Sequence, residues 1–381
     1  MFEVLAIVCA AIWIYLIAAR GGFWRADIRD SANGPAPDVA WPPVAVIIPA
    51  RNECEVIAGS VKSLLQQDYR GELTIIVVDD DSTDDTRGVA ERAAAGDPRL
   101  KVVRTDGPAG GWTGKLWAVQ NGIVTAEVFQ PKYLLLTDAD IEHERDSLTS
   151  LVSRATAGGF VLTSLMAQLR CESLAERVHV PAFIYFFQML YPFAWVGRAG
   201  SSVAAAAGGC MLVRRDALAA IGGVASIRNA LIDDCALAVQ LKQMGPIWLG
   251  LTHRVRSVRP YETFADVVRM ISRSAYSQLR YSPLLLAATT LAMAITFIAP
   301  PFLAIFARGW AQYLALAAWA VMALSFIPTL RYYGRAMLWS IALPAIALLY
   351  MCYTLNSAWQ HLRRRGGQWK GRVHGNAPSL Q

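Results

Sequence analysis

The chain has 381 residues, 55% of them hydrophobic and only 17% charged, and its mean hydropathy is +0.33. That composition excludes an ordinary soluble protein and predicts membrane segments. A net charge of +7 would suit nucleic acid, but the basic residues gather beside apolar stretches ("RYYGR", "HLRRRGGQWKGR"). The expected partner is therefore membrane lipid with anionic headgroups, and no nucleic acid. The six cysteines, Cys9, Cys54, Cys171, Cys210, Cys235 and Cys352, show no C-x-x-C spacing, so neither a zinc site nor a disulfide framework follows.

The first element is an apolar run from Phe2 to Ala19, broken only by Glu3. It lacks the basic start and small-residue cleavage site of a signal peptide, so residues 1–20 read as an uncleaved transmembrane anchor. Arg20, Arg25 and Arg29 follow and place that side in the cytoplasm. Residues 21–42, with "SANGPAPDVAWPP", read as a linker to a soluble α/β domain over residues 43–281. The domain opens with a near-continuous apolar strand, Val44 to Ile48, ended by Pro49 and followed by a helical stretch, Glu53 to Gln67. "LTIIVVDDDSTDDT" is a second buried strand ending in acids, and "KVVR" and "YLLLTDAD" are the next two. Strands alternating with helices predict a doubly wound, mostly parallel sheet, whose ligands bind beyond the carboxyl ends of the strands. Both aspartate clusters sit at those ends. Asp138 and Asp140 allow two readings: a solvated loop with helix-capping acids, or a divalent cation holding a diphosphate. A dinucleotide site would need G-x-G-x-x-G after the first strand, and "PARNE" holds no glycine.

"VPAFIYFFQMLYPFAW", near residues 180–196, is too short to span a bilayer and reads as an interfacial helix, or else a core helix. Three further apolar runs, Leu284 to Ala307, Tyr313 to Leu330 and Met337 to Ala358, fill residues 284–358, and a basic tail occupies 359–381. Three full spans would put that tail outside, against the positive-inside tendency, unless Pro300–Pro301 or Pro344 makes one segment re-entrant.

"VIIPARNE", "VVDDDSTDDT", "GKLWAVQNG" and "TDAD", in this order, resemble the nucleotide half of family 2 glycosyltransferases with the GT-A fold. "AAGGCMLVRRDALAAIGG" and "LIDDCALAVQLKQMG" resemble the same family's acceptor half. "GWTGKLWAV", "LMAQLRCES", "FFQMLYPFAW" and "SAYSQLRYSPLLL" are similar to one subfamily, the hopanoid-biosynthesis-associated (hopene-associated) glycosyltransferases of bacteria. The apolar flanks fit that subfamily as well. The resemblance implies inverting transfer of a sugar from a nucleoside diphosphate sugar, UDP-sugar by expectation, to a hopanoid-like lipid acceptor. It implies Mg²⁺ or Mn²⁺ as cofactor, and a multi-pass protein of the bacterial cytoplasmic membrane with its catalytic domain on the cytoplasmic side. Two other readings stand beside it: the same chemistry on a polyprenyl phosphate, ceramide or carotenoid, and a scaffold that binds sugar nucleotide without catalysis.

The resemblance also implies residue roles. Pro49, Arg51 and Glu53 of the first motif, Asp79 and Asp80 of the second, Lys115 and Asp138 would hold the nucleotide sugar. Asp140 would ligate the metal directly, and Asp138 would contact the ribose or the metal through water. Asp234 aligns with the general base, preceded by Asp233 in place of the more usual Glu. Two acids opening a helix are also favoured by the helix dipole, so the pair has a plain structural reading too. "SQLRYS" stands where the family carries Q/R-x-x-R-W: Arg280 fits the arginine, Tyr281 replaces the tryptophan, and Ser277 stands where Gln or Arg is expected. That departure argues for a single transfer over a processive one, and leaves Gln278 near the acceptor and diphosphate without an assigned task.

Overall fold

Seven contiguous residues from Val44 to Ala50 are buried, which in a strand requires cover on both faces. The structure, a computed structural model, describes residues 2–30, 40–363, 368–369 and 372–373. The chain forms two compact units. One comprises Ile28–Arg170, Trp195–Arg259 and Gln368–Gln381, and the other Met1–Asp27, Cys171–Ala194 and Pro260–Gly367. Part of the expected linker, 31–39, lies outside the described residues, as does most of the basic tail.

The first unit is built on strands β1 (Val44–Ala50), β2 (Leu73–Asp79), β3 (Leu100–Arg104), β4 (Tyr133–Thr137), β5 (Ile141–His143), β6 (Leu162–Leu169), β7 (Cys210–Arg214) and β8 (Ile247–Ser257). Their order across the sheet is β3-β2-β1-β4-β7-β6-β8-β5. Ladders β1–β2, β2–β3 and β1–β4 are parallel, as expected for this half of the chain, and β6–β8 is parallel as well. Ladders β4–β7, β6–β7 and β5–β8 are antiparallel, so the sheet is mixed beyond β4. The order reverses between β1 and β4, and that reversal opens a crevice at the carboxyl edge. Ala50 pairs with Asp79 in register, so Arg51 and Asp80 leave the sheet side by side.

The helix Gly114–Ala126 packs on β1 and β2 through Gly122. A Cβ there would stand 2.5 Å from Ile47 Cγ2, so only glycine permits this approach. The close packing carries the helix start, with Lys115, to the carboxyl edge.

The second unit is helical. Pro283–Phe306, Trp310–Tyr332 and Met337–Leu362 are long and apolar enough to cross a membrane. The expected anchor is the apolar helix Phe2–Ala18 of 17 residues, about 25 Å long at ~1.5 Å per residue. Trp13, Tyr185, Phe297 and Phe326 are fully buried in this unit's core. The stretch expected at the interface belongs to the helix Leu174–Leu190, which packs in that same core through Ala182, Tyr185 and Phe186. Thus 171–194 and 260–281, read above as parts of one domain, cluster with the apolar helices. The first of the long segments is irregular where prolines were noted: a π-turn over Ala294–Ile298 precedes Pro300 and Pro301, whose missing N–H groups break the α ladder.

Candidate active site

The strand ends supply the site. Arg51, one residue past β1, donates from Nη1 to the carbonyl of Asp80 and, at 2.7 Å, to that of Asp81. This clamps the turn after β2. In the same turn Asp79 Oδ1 accepts from the Ser82 N–H at 3.1 Å, and Asp80 Oδ1 accepts from Thr105 Oγ1 at 3.1 Å. The Asp79 bond closes the turn, while at the start of the helix that follows, Thr86–Ala94, the Thr86 N–H donates to Asp84 Oδ1 at 3.1 Å. Asp79 and Asp80 are buried, and Asp81, at φ 55, carries the half-buried corner of the turn.

Lys115 lies in the first turn of Gly114–Ala126, where the Thr113 side chain accepts from the Leu116 N–H. Its ammonium stands 3.0 Å from Asp138 Oδ1 and 3.2 Å from Asp233 Oδ2. The lysine thus ties the end of β4 to the helix Asp233–Lys242. Burial pulls the ammonium's pKa down, but Asp138, Asp233 and Asp234 together outweigh it and hold the pKa well above the ordinary lysine value. Pro49, Lys115, Asp138, Gly208 and Asp233 line a small cleft here.

Asp234 follows Asp233 but is held differently. Its Oδ2 accepts from the Gly208 N–H at 2.9 Å and its Oδ1 from the Cys235 N–H at 2.7 Å. Burial raises its pKa to about 6, with help from the neighbouring Asp233 charge and against the pull of Lys115 and the two N–H donors. A carboxylate of that strength is matched to accepting a proton near neutral pH.

Asp140 Oδ2 accepts from Ser257 Oγ at 2.8 Å and from Arg259 Nε at 3.2 Å. Arg259 Nη2 meanwhile donates to both oxygens of Glu53 at 2.8 Å. Sequence reasoning named Glu53 and Asp140 but missed Arg259, Ser257 and Gly208. The only local signal was a basic residue soon after the last apolar strand.

Among the described residues no three of His, Cys, Asp and Glu gather as a ready-made metal site. The donors still fit a cation that arrives with its own ligands. The contacts described engage Asp140 through Oδ2 and Asp138 through Oδ1, and Asp138 lines the cleft. Mg²⁺ and Mn²⁺ take one or two carboxylates and draw the rest of their shell from phosphate and water.

Residues 45–222 match the family model described as glycosyl transferase family 2. The chain carries a family 2 glycosyltransferase domain. Over 215 residues, 55% of this chain and 42% of the relative, it is 28% identical to the beta-monoglucosyldiacylglycerol synthase of Synechocystis sp.. Over 117 residues, 31% of this chain and 36% of the relative, it is 30% identical to the GalNAc(5)-diNAcBac-PP-undecaprenol beta-1,3-glucosyltransferase of Campylobacter jejuni. The chain spans less than half the length of either. The mannosyltransferase of Pyrobaculum calidifontis in complex with GDP-Man and Mn²⁺ superposes with a TM-score of 0.57 at 21% identity, over 95% of this chain and 99% of that one. The fold of the family 2 domain is GT-A, with its mixed sheet read from β3 to β5.

Gln278, Arg280 and Tyr281 lie in the helical unit, beyond the span matched to family 2. There Gln278 Nε2 bonds to the Tyr191 hydroxyl, and the Tyr281 ring stacks on His361 with centroids 4.4 Å apart. Arg280 and Tyr281 both adopt left-handed backbone, φ 51 and 55, a conformation that costs a non-glycine residue energy.

Proposed function

We propose that the chain is an inverting membrane glycosyltransferase that moves a sugar from a nucleoside diphosphate sugar, UDP-sugar by preference, to a lipid acceptor. The observation that carries this reading is the gathering of Asp138, Asp140, Lys115, Asp233 and Asp234 at the carboxyl edge of the sheet whose first strands match family 2. Asp234 takes the proton from the acceptor hydroxyl as its oxygen forms the bond to the anomeric carbon. The bond from that carbon to the diphosphate oxygen breaks with its electron pair, and the nucleoside diphosphate leaves. Lys115 holds Asp138 and Asp233 in place and offers its positive charge to the departing phosphates. Pro49, Arg51, Glu53, Asp79 and Asp80 shape the nucleotide side. Asp140 and Asp138 would hold Mg²⁺ or Mn²⁺, which would supply Lewis-acid neutralisation of the diphosphate charge.

A lipid acceptor is supported by the three helices fit to cross a membrane and by relatives whose names carry a diacylglycerol and an undecaprenol. Within that class the motifs similar to the hopanoid-associated subfamily favour a hopanoid-like lipid. Gln278, Arg280 and Tyr281 are assigned to the acceptor and diphosphate side, with the domain facing the cytoplasm.

Detergent-purified chain is expected to move labelled sugar from UDP-sugar into the lipid fraction of a bacterial membrane extract, and more into an extract that contains hopanoids than into one that lacks them. Equal labelling of both extracts would support another lipid. Labelling of a soluble oligosaccharide with no lipid present would sink the acceptor assignment. The pH profile is a second check. Protonated Asp234 cannot act as base, so the rate should fall as pH drops through about 6 and level off above it. A rate unchanged down to about pH 4, the ordinary carboxylate range, would show that Asp234 is not the group that titrates.

A further inference from the structure

Arg259 occupies a place that the proposed reaction does not explain. It stands two residues beyond β8, yet it joins the ends of β1 and β4: Nη2 sits between the two oxygens of Glu53 at 2.8 Å, and Nε lies 3.2 Å from Asp140 Oδ2. The side chains of Glu53 and Asp140 are only 9% and 13% exposed. Two carboxylates this poorly hydrated repel one another unless a cation lies between them. The guanidinium supplies that cation permanently, because arginine does not deprotonate in proteins. Lys115 does the same for Asp138 and Asp233.

We propose that Arg259 is a positioning residue that stands in for the divalent cation at Asp140 until the donor diphosphate arrives, so that metal and nucleotide bind together. The proposal rests on the reading of Asp140 as a metal ligand. A bare divalent ion on Asp140 meets the positive guanidinium already held there, and like charge repels it. A nucleoside diphosphate brings negative charge that offsets both cations, so the ion becomes acceptable only in its company. The repulsion that weakens bare metal becomes coupling when Arg259 turns from Asp140 toward the arriving diphosphate, which removes the penalty only in the nucleotide's company, and linkage makes that coupling reciprocal. Such a device keeps the acidic crevice from being filled by metal that carries no donor.

The test is Mn²⁺ binding to full-length chain in detergent, followed by the electron paramagnetic resonance signal of free Mn²⁺, with UDP, with GDP and with neither. Wild type should bind bare Mn²⁺ weakly and bind it far more tightly with a nucleoside diphosphate. Arg259→Gln should bind bare Mn²⁺ on the order of tenfold more tightly than wild type, as removal of one partly buried opposing charge implies, and its coupling to nucleotide should shrink by the same factor. If the arginine only props up Glu53 and Asp140, the substitution will instead leave bare Mn²⁺ binding unchanged or weaken it, and either result overturns the proposal. Should Arg259→Gln fail to fold, Arg259→Lys carries the test. Lysine keeps the charge but cannot grip Glu53 and Asp140 at once, so bare Mn²⁺ should still tighten, by less; no tightening there overturns the proposal equally. Wild-type chain that takes up no Mn²⁺ even with UDP or GDP would fail at an earlier point, removing the metal assignment of Asp140 and this proposal with it.

Discussion

Asp234→Asn is expected to bind UDP-sugar and metal almost as the native chain does, and to transfer sugar hundreds of times more slowly. Loss of a general base typically costs ~10²–10⁴-fold in rate. An effect confined to the rate marks a group that acts in the transition state and not in donor binding. The geometry supports this division of labour. Asp234 is held by two backbone N–H groups, one on each oxygen, while Asp233 is the acid engaged by Lys115. An asparagine can accept only one of those two N–H bonds through its carbonyl, so a loss of about 1 kcal/mol in stability should accompany the change. That is too little to unfold the domain, and a melting curve will separate it from the kinetic effect. Asp233→Asn should behave in the opposite sense. It removes one of the two carboxylates that hold Lys115, so it should loosen donor binding more than it slows chemistry. The two acids are adjacent but point about 100° apart around the helix, which is why their roles can differ. If Asp234→Asn retained most of its transfer activity while Asp233→Asn lost it, the base would be Asp233. If neither mattered, the proposed mechanism would be wrong.

Asp140→Ala should abolish Mn²⁺- or Mg²⁺-dependent binding of the sugar nucleotide while leaving the domain folded. The side chain stands past the end of β4 and contributes nothing to the apolar core, so its loss removes two contacts, from Ser257 and Arg259, and opens no cavity in the sheet. Arg259 would keep its grip on Glu53, so the first turn after β1 should hold its shape. Titration calorimetry with UDP-sugar in the presence of Mn²⁺ reads the outcome directly. Affinity should fall by ~10² or more, the scale on which loss of a metal-organising group acts. Binding as tight as that of the native chain would dismiss the metal role of the D-x-D pair and leave those aspartates as partners of Lys115 and Arg259 alone.

Much of this protein could be read without coordinates. Apolar runs of near-bilayer length are a property of composition, and they predicted the three C-terminal helices to within a few residues. Strands buried on both faces must be continuously apolar, so β1, β2 and β4 declared themselves, and the acids at their ends marked the carboxyl edge. The second half of the sheet was not legible in this way. A strand's sequence carries its burial but not its direction, so the antiparallel ladders of β7 with β4 and β6 emerged only in the folded chain. Composition also could not tell that 171–194 and 260–281 pack with the apolar helices, because an amphipathic stretch does not name its neighbour. Arg259 shows the limit most sharply. It lies 119 residues from Asp140 and 206 from Glu53, and nothing local distinguishes it from any arginine beside a strand. Its place follows from β8 running parallel to β6 on one side and antiparallel to β5 on the other, so that the end of β8 arrives beside the start of β5, next to Asp140. Residue types and their order determined which charges this chain brings to the carboxyl edge. Only the sheet's register decided which of those charges meet, because pairing at about 3 Å depends on strand ends that are distant in sequence and adjacent in space.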